Sequence, residues 1–253
     1  SASMDLLRQS SESLAGRIRY IEMGGLNVLE TGRDRGEHQK LWLRGGFPDS
    51  YLAADDEACM DWLEDLIRTY LERDIPQMGF RIPAARLRRL WTMLAHGQGE
   101  PANHAKLGSN LEITGKTVGH YLDILTDLLL LRRLEPWYAN VKKRLVKAPR
   151  YYIRDSGITH RLLGIGARDA LLSNPVLGKS WEGFVLENIH SVLPRSAETY
   201  YYRTAAGAEI DLLIKMPSSE LWAVEIKHGK APKILTPPPP PPMPKRSPAR
   251  NLP

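Results

Sequence analysis

Asp211, Glu225 and Lys227 are the residues of this chain whose types and spacing best suit a chemical task. Asp211 stands in the apolar run Glu209-Ile210-Asp211-Leu212-Leu213-Ile214-Lys215, and the other two close the run Leu221-Trp222-Ala223-Val224-Glu225-Ile226-Lys227. Mg²⁺ favours one or two carboxylates, a few waters and a substrate phosphate oxygen. A lysine beside such a cation can orient or help deprotonate a water and counter charge on a phosphate. The chemistry in view is therefore Mg²⁺-dependent phosphodiester hydrolysis. Asp211 and Glu225 are the candidate metal ligands, and the carbonyl of Ile226 is a further one.

These side chains act together only if the two runs fold as a hairpin. Met216-Pro217-Ser218-Ser219-Glu220 between them is turn-forming. Centring an antiparallel hairpin on Ser218 opposes residues whose numbers sum to 436. One face then carries the apolar pairs Ile210–Ile226, Leu212–Val224 and Ile214–Trp222. The other carries Glu209–Lys227, Asp211–Glu225 and Leu213–Ala223. A slip of one residue would spoil this sorting. The register sets two carboxylates about 5 Å apart at Cβ, which is unfavourable unless a cation or proton lies between them. The competing reading is an ordinary Glu209–Lys227 cross-strand ion pair with Asp211 and Glu225 solvated.

Asp211, then Glu225-Ile226-Lys227 after an apolar strand, resembles the PD-(D/E)XK nuclease superfamily. Glu182, on the helix expected before the sheet, matches the additional acid of many members. The stretches Gly178–Asn188, Tyr200–Ile214 and Ala223–Lys227 resemble a narrower group. These are prokaryotic AAA-superfamily ATPases whose C-terminal part is a domain of unknown function related to that nuclease fold. Leu107–Leu134, Lys147–Gly157, Leu41–Pro76 and Ser11–Ile21 resemble the same group, so the likeness spans roughly residues 1–234. It implies a catalytic set of Glu182, Asp211, Glu225 and Lys227, with Glu182 supporting metal or water.

The elements that must position this set are α/β (α+β) in class. Trp62, Leu63, Leu66, Ile67, Tyr70 and Leu71 recur at helical spacing over 55–75, and Pro76 is expected to end that helix. A second helix is expected from about Pro83 to His96, with Pro83 in its first turn. Residues 103–130 have helix-turn-helix order, the second helix starting at Thr114 or Thr117 and burying Val118, Leu122, Leu125 and Leu129. Lys116, Thr117 and His120 would stand at its exposed N-terminal end, where such helices meet base edges. Strands at Leu131–Trp137 and Leu145–Ile153 would make a wing. Between Arg132 and Arg150 lie seven basic residues and one acid, a net of +6 in one segment. Lys142, Lys143, Arg144 and Lys147 at its tip read either as a phosphate-binding surface or as a solvated hairpin end. Trp181–Val192 reads as a helix and 199–228 as strands.

The expected modules are an ATPase-core remnant (1–50), a helical linker (51–100), a winged helix (101–153), a nuclease-like domain (154–234) and a disordered proline-rich tail (235–253). Residues 1–50 show no core of their own. No phosphate loop is present: Gly115-Lys116-Thr117 would need glycine at position 110, which is Asn110, and an apolar strand leading in. No upstream strand ends in paired acids. The resemblance implies that the ATPase core precedes residue 1, with ATP bound only by the full-length protein. Arg17 would act near that nucleotide or be a plain surface arginine. Family members continue past the Glu-x-Lys strand with helical sequence, whereas here a run of six prolines follows from Pro237.

Other groups carry less. No His-x3-His or Cys-x2-Cys spacing exists, so His104, His120 and His190 read as isolated polar or capping residues. Asp155 reads as a helix cap or a catalytic acid, and Tyr200-Tyr201-Tyr202 as sheet packing or base stacking. One cysteine, Cys59, cannot form an internal disulfide, and no apolar run exceeds four residues, so a cytoplasmic, membrane-free setting is expected. The net charge of +6 suits a DNA partner. Oligomerisation is left open. The rival reading is a non-catalytic regulatory or interaction module of an ATP-driven switch.

Overall fold

The computed structural model describes residues 21–32, 34–137, 148–204 and 207–229. The first helices are built by local capping. Asp34 accepts from the Gly36 and Glu37 amides to start α1 (Arg35–Arg44), which packs beside the single turn α2 (Pro48–Tyr51). The opening segment offers no helical periodicity, because only the last turn of α1 is buried, at Leu41, Trp42, Leu43 and Arg44. That cluster packs on Ile165, Leu171, Val176 and Phe184 from far along the chain.

α3 (Asp56–Thr69) starts where Asp55 accepts from the Ala58 amide, and it buries Cys59, Met60, Leu63 and Ile67. The helix does not stop before Pro76 as expected. It widens into a π turn over Tyr70–Asp74 and continues as α4 (Ile75–Gln77). The wider turn accommodates a residue that has no N–H to donate. Gly79, at φ +88°, ends it. In α5 (Ala84–His96) the buried stripe Leu87, Leu90, Trp91 and Leu94 is as expected, but Pro83 is the cap rather than a first-turn residue.

α6 (His104–Leu111) and α7 (Gly115–Asp127) form the helix-turn-helix, capped by Asn103 and Thr114. The glycine that matters is Gly108, inside α6: a Cβ there would lie 2.6 Å from the Ile113 carbonyl oxygen and 3.1 Å from the Gly115 nitrogen. The turn itself uses Glu112 at φ +57°. Val118, Leu122 and Leu125 are buried as expected, but α7 ends at Asp127, the chain bends at Leu129 (φ +61°), and Leu129 is exposed.

α8 (Ser156–Leu162) is capped by Asp155, which accepts from the Ile158 amide and, at 2.7 Å, from the Gly46 amide. Asp155 is thus a cap. α9 (Arg168–Leu172) leads into α10 (Leu177–Val192), which begins four residues before the expected start.

Among the described residues five strands form one sheet in the order β2-β1-β3-β4-β5: β1 (Leu131–Pro136), β2 (Arg150–Ile153), β3 (Glu198–Arg203), β4 (Glu209–Lys215) and β5 (Leu221–Val224). β1 and β3 run parallel, and the other pairs are antiparallel. The wing hairpin is therefore continuous with the later strands through β1. α10 covers one face, where Leu186 meets Leu134, Tyr152, Tyr201, Leu212, Ile214 and Ile226. Trp137, Ile210 and Leu213 cluster apart from these. The class is mixed α and β, as expected. Among the described residues no helix is long and apolar enough to cross a membrane.

Filling the close approach at Gly108 should force the two helices of the motif apart. Gly108→Ala is expected to lower stability by about 1–3 kcal/mol, the usual range for overpacking, read as a lower urea midpoint at unchanged slope. An unchanged midpoint would contradict this packing.

Candidate active site

The β4–β5 ladder has the expected register: Leu212 faces Val224, Leu213 faces Ala223 and Ile214 faces Trp222, all summing to 436. The sorting of faces differs from the expectation in two places. Against β3, Tyr200 faces Leu213 while Tyr202 faces Ile210, so Tyr201 alone opposes both Asp211 and Leu212. Such a bulge puts an extra residue into one strand and re-aims its side chains. Ile210 therefore packs with Leu213 and Trp137 rather than with Leu212. Trp222, paired with Ile214, is 51% exposed instead of buried.

The ladder ends at Val224, one step before Asp211 and Glu225 would oppose each other. Asp211 is buried and accepts a 2.8 Å hydrogen bond from the Ile226 amide. The chain past β5 is thus pinned to β4 by a side chain. Ile226 turns inward to the core. His228 packs against the rings of Trp42 and Trp181, with centroids 5.2 and 5.4 Å away. Held between these anchors, Glu225 and Lys227 face outward and pair at 3.1 Å, with 43% and 60% of their side chains exposed.

Glu182 projects from α10 into the same corner and is 6% exposed. One carboxylate oxygen accepts from the Tyr152 hydroxyl at 2.6 Å, and the other from the Lys179 ammonium at 3.3 Å. Behind it lies Arg150, fully buried, with Nη1 at 3.8 Å. Burial pushes the Glu182 carboxyl above its ordinary range; Lys179, the Tyr152 hydrogen bond and Arg150 oppose that shift, and the Asp211 charge adds to it. The Glu225 partner raises Lys227, helped by the charges of Asp211, Glu225 and Glu182. The four residues expected to act together therefore share one field. The competing Glu209–Lys227 ion pair does not form: Glu209 pairs with Arg150 and Arg203.

Could this corner hold Mg²⁺? Among the described residues no three His, Cys, Asp or Glu side chains converge to enclose a metal. Mg²⁺ does not need such a cage, since one or two carboxylates and substrate phosphate suffice. Asp211, bonded to the Ile226 amide, and Glu182 supply buried carboxylates, with Glu225 at the solvent edge, so the donor chemistry fits. Sequence reasoning did not find Tyr152, Lys179, Arg150 or His228 as parts of this corner. Their signal was weak, because Tyr152 and Arg150 reach it from β2, in another part of the chain.

Lys116 and His120 are exposed at the N-terminal end of α7, as expected of base-reading positions. Thr117 is half-buried and engaged in the helix cap, its amide and hydroxyl both bonded to the Thr114 hydroxyl. Lys142, Lys143, Arg144 and Lys147 lie outside the described residues, as do Arg17 and the proline run.

Comparison with known proteins adds family but not chemistry. A family described as a domain of unknown function (DUF8612) matches residues 35–169, more than half of the chain. A second domain of unknown function (DUF4143) matches residues 177–236 and includes the whole candidate set. Uncharacterized proteins of Mycobacterium bovis and Mycobacterium tuberculosis are each 47% identical over 234 residues, covering 92% of this chain. The chain spans about half the length, 52%, of these curated relatives. No solved structure matches.

The Tyr152 hydroxyl donates to Glu182 and so favours its ionised form. Tyr152→Phe removes that support, and the Glu182 pKa, already raised by burial, is expected to rise further. A carbon-13 NMR titration of labelled glutamate carboxyls reads this directly. A fall, or no movement, would show that the hydrogen bond does not tune the acid.

Proposed function

We propose that this chain, which belongs to the DUF8612 family, is the DNA-associated C-terminal part of an AAA-type ATP-binding protein and carries a Mg²⁺-dependent phosphodiesterase site. The observation that carries the chemistry is the bulge at Asp211, which places a buried acid in the field of Glu182, Glu225 and Lys227. The presence of a DUF4143 domain, a kind found in AAA-ATPase-associated proteins, supports the ATPase setting. So does the length of the relatives, about twice the segment matched here. ATP would then be handled by the full-length protein. The reducing cytoplasm suits Cys59, which is buried and unpaired.

In this reading Asp211 and Glu225 hold the metal and Glu182 supports it or the attacking water. When bound, Mg²⁺ supplies Lewis-acid polarisation of the phosphoryl oxygen. The water oxygen bonds to phosphorus, the bridging P–O bond breaks, and the proton that the water gives up ends, through solvent, on the leaving alkoxide. Lys227 orients the water and offsets negative charge on the phosphate. Its ammonium is paired with Glu225 across an exposed contact, so engaging Glu225 elsewhere frees it at small cost, since exposed ion pairs contribute about 0–1 kcal/mol.

One observation favours a second reading. Both oxygens of Glu182 are already bonded to Tyr152 and Lys179, with Arg150 behind. A self-neutralised corner of this kind also suits a fold kept for interaction, in which the helix-turn-helix binds or packs without catalysis.

Plasmid DNA with Mg²⁺ or Mn²⁺ separates the two. The wild-type chain is expected to nick or cut, and Lys227→Ala and Asp211→Asn to lose at least about 100-fold of that rate, the scale on which acid–base and electrostatic groups contribute. Retention of DNA without cutting by any of the three would establish the interaction module instead.

A further inference from the structure

Carboxylate partners run out along one flank of the helical half. From 81 to 116 the sequence holds six arginines and lysines but only two acids, Glu100 and Glu112. Among the described residues only Arg88 of the six has an ion pair, with Glu64 at 2.7 Å. Elsewhere the cations are mostly matched: Arg132 and Arg154 with Glu187, Arg133 with Asp123 and Glu135, Arg161 with Glu64. Arg81, Arg86, Arg89, Lys106 and Lys116 have no ion pair among the described residues.

Their placement is ordered. α5 buries Leu87, Leu90, Trp91 and Leu94. Arg88 leaves one flank toward α3. Arg86 and Arg89, three residues apart, lie on the other flank. Arg89 crosses to α6, donating to the Asn110 carbonyl at 3.1 Å. Lys106, four residues before Asn110, is exposed on the same face of α6, and Lys116 is exposed in the first turn of α7. The strip thus runs from α5 across α6 to the start of α7, with Glu112 in the turn as the acid beside it.

We propose that this strip is a phosphate-tracking surface for duplex DNA, with Arg86, Arg89 and Lys106 on the backbone flanking the α7 end that bears Lys116 and His120. In helix-turn-helix docking the first helix crosses the backbone while the second enters the groove, and backbone contacts set register without reading sequence. Unpaired guanidinium and ammonium groups suit that task, because no internal ion pair must be broken to meet a phosphate. The proposal rests on the DNA-association reading above and adds its contact surface.

The test is a salt titration of the whole chain binding a short labelled duplex of arbitrary sequence, followed by fluorescence anisotropy. The comparison is between wild type, Arg86→Ala/Arg89→Ala, and Arg35→Ala/Arg168→Ala. The last pair removes the same charge from exposed positions outside the strip. Circular dichroism checks that each variant is folded. Each lost phosphate contact lowers the slope of log affinity against log salt by about 0.9, so the strip variant is expected to lose about 1.8 and the control variant none. If strip and control variants keep the wild-type slope alike, the strip is not the phosphate surface, while DNA association itself stands. If the wild-type chain does not bind the duplex, the DNA reading fails, and this proposal fails with it.

Discussion

The corner that holds the candidate site depends on one buried hydrogen bond, from the Ile226 amide to the Asp211 carboxylate. Beyond Val224 the chain has left the sheet, and an exposed strand end would ordinarily fray. A charge-assisted bond to a buried carboxylate contributes about 1.5–3 kcal/mol, more than a ladder bond between neutral groups. It also fixes which side chains turn inward. With Ile226 in the core, Glu225 and Lys227 must face out, and His228 must return to the Trp42 and Trp181 rings. The bulge performs the complementary task on β4, turning Asp211 to meet that amide instead of standing opposite Glu225.

Around this bond the charges are costly to bury and are kept by mutual support. Arg150 is fully buried between Glu182 and Glu209, lies over the Tyr201 ring at 4.3 Å, and among the described residues finds no hydrogen-bond partner for Nε and Nη1. A buried ion pair often stabilises no better than apolar residues of the same size. Removing one partner, however, strands a charge. Such a corner constrains its members to persist together, whether or not it adds to stability. That is the property required of a site whose acids must stay fixed when substrate displaces water.

Alternation and turn chemistry made the hairpin register legible in the sequence, because only one register puts apolar residues in opposed pairs. The stripes of α5 and α7 were legible for the same reason, from helical spacing. The bulge was not, since it inserts a residue without a signature in residue type: Asp211-Leu212 reads as plain alternation. Nor was α1, whose only buried turn is its last. Pro76 misled because a π turn upstream absorbs it. The acid set itself was legible as residue types. Its supports at Arg150, Tyr152 and Lys179 were not, because two of them lie in a strand that reaches the corner only through the β1–β3 pairing.

That pairing, with the contacts of α1, ties the two family segments into one frame. Trp42, within the 35–169 match, donates to the Ser180 hydroxyl on α10 at 3.0 Å and packs on Trp181, the neighbour of Glu182. Ser180 also bonds to His160 Nε2 at 2.6 Å, while His160 Nδ1 meets the Leu43 carbonyl at 2.9 Å. A carbonyl only accepts, so Nδ1 carries the proton and Ser180 must donate to Nε2. Burial lowers the His160 pKa to about 4, which keeps the ring neutral and this arrangement intact near neutral pH. A Ser–His pair of this geometry could pass for a nucleophile and its base. Both are buried and every polar atom is satisfied, so its task is to hold α10 against α1 and α8. The position of Glu182 is therefore set from the first helix as much as from the sheet, and a displacement of α1 would be transmitted to Glu182 through Trp42.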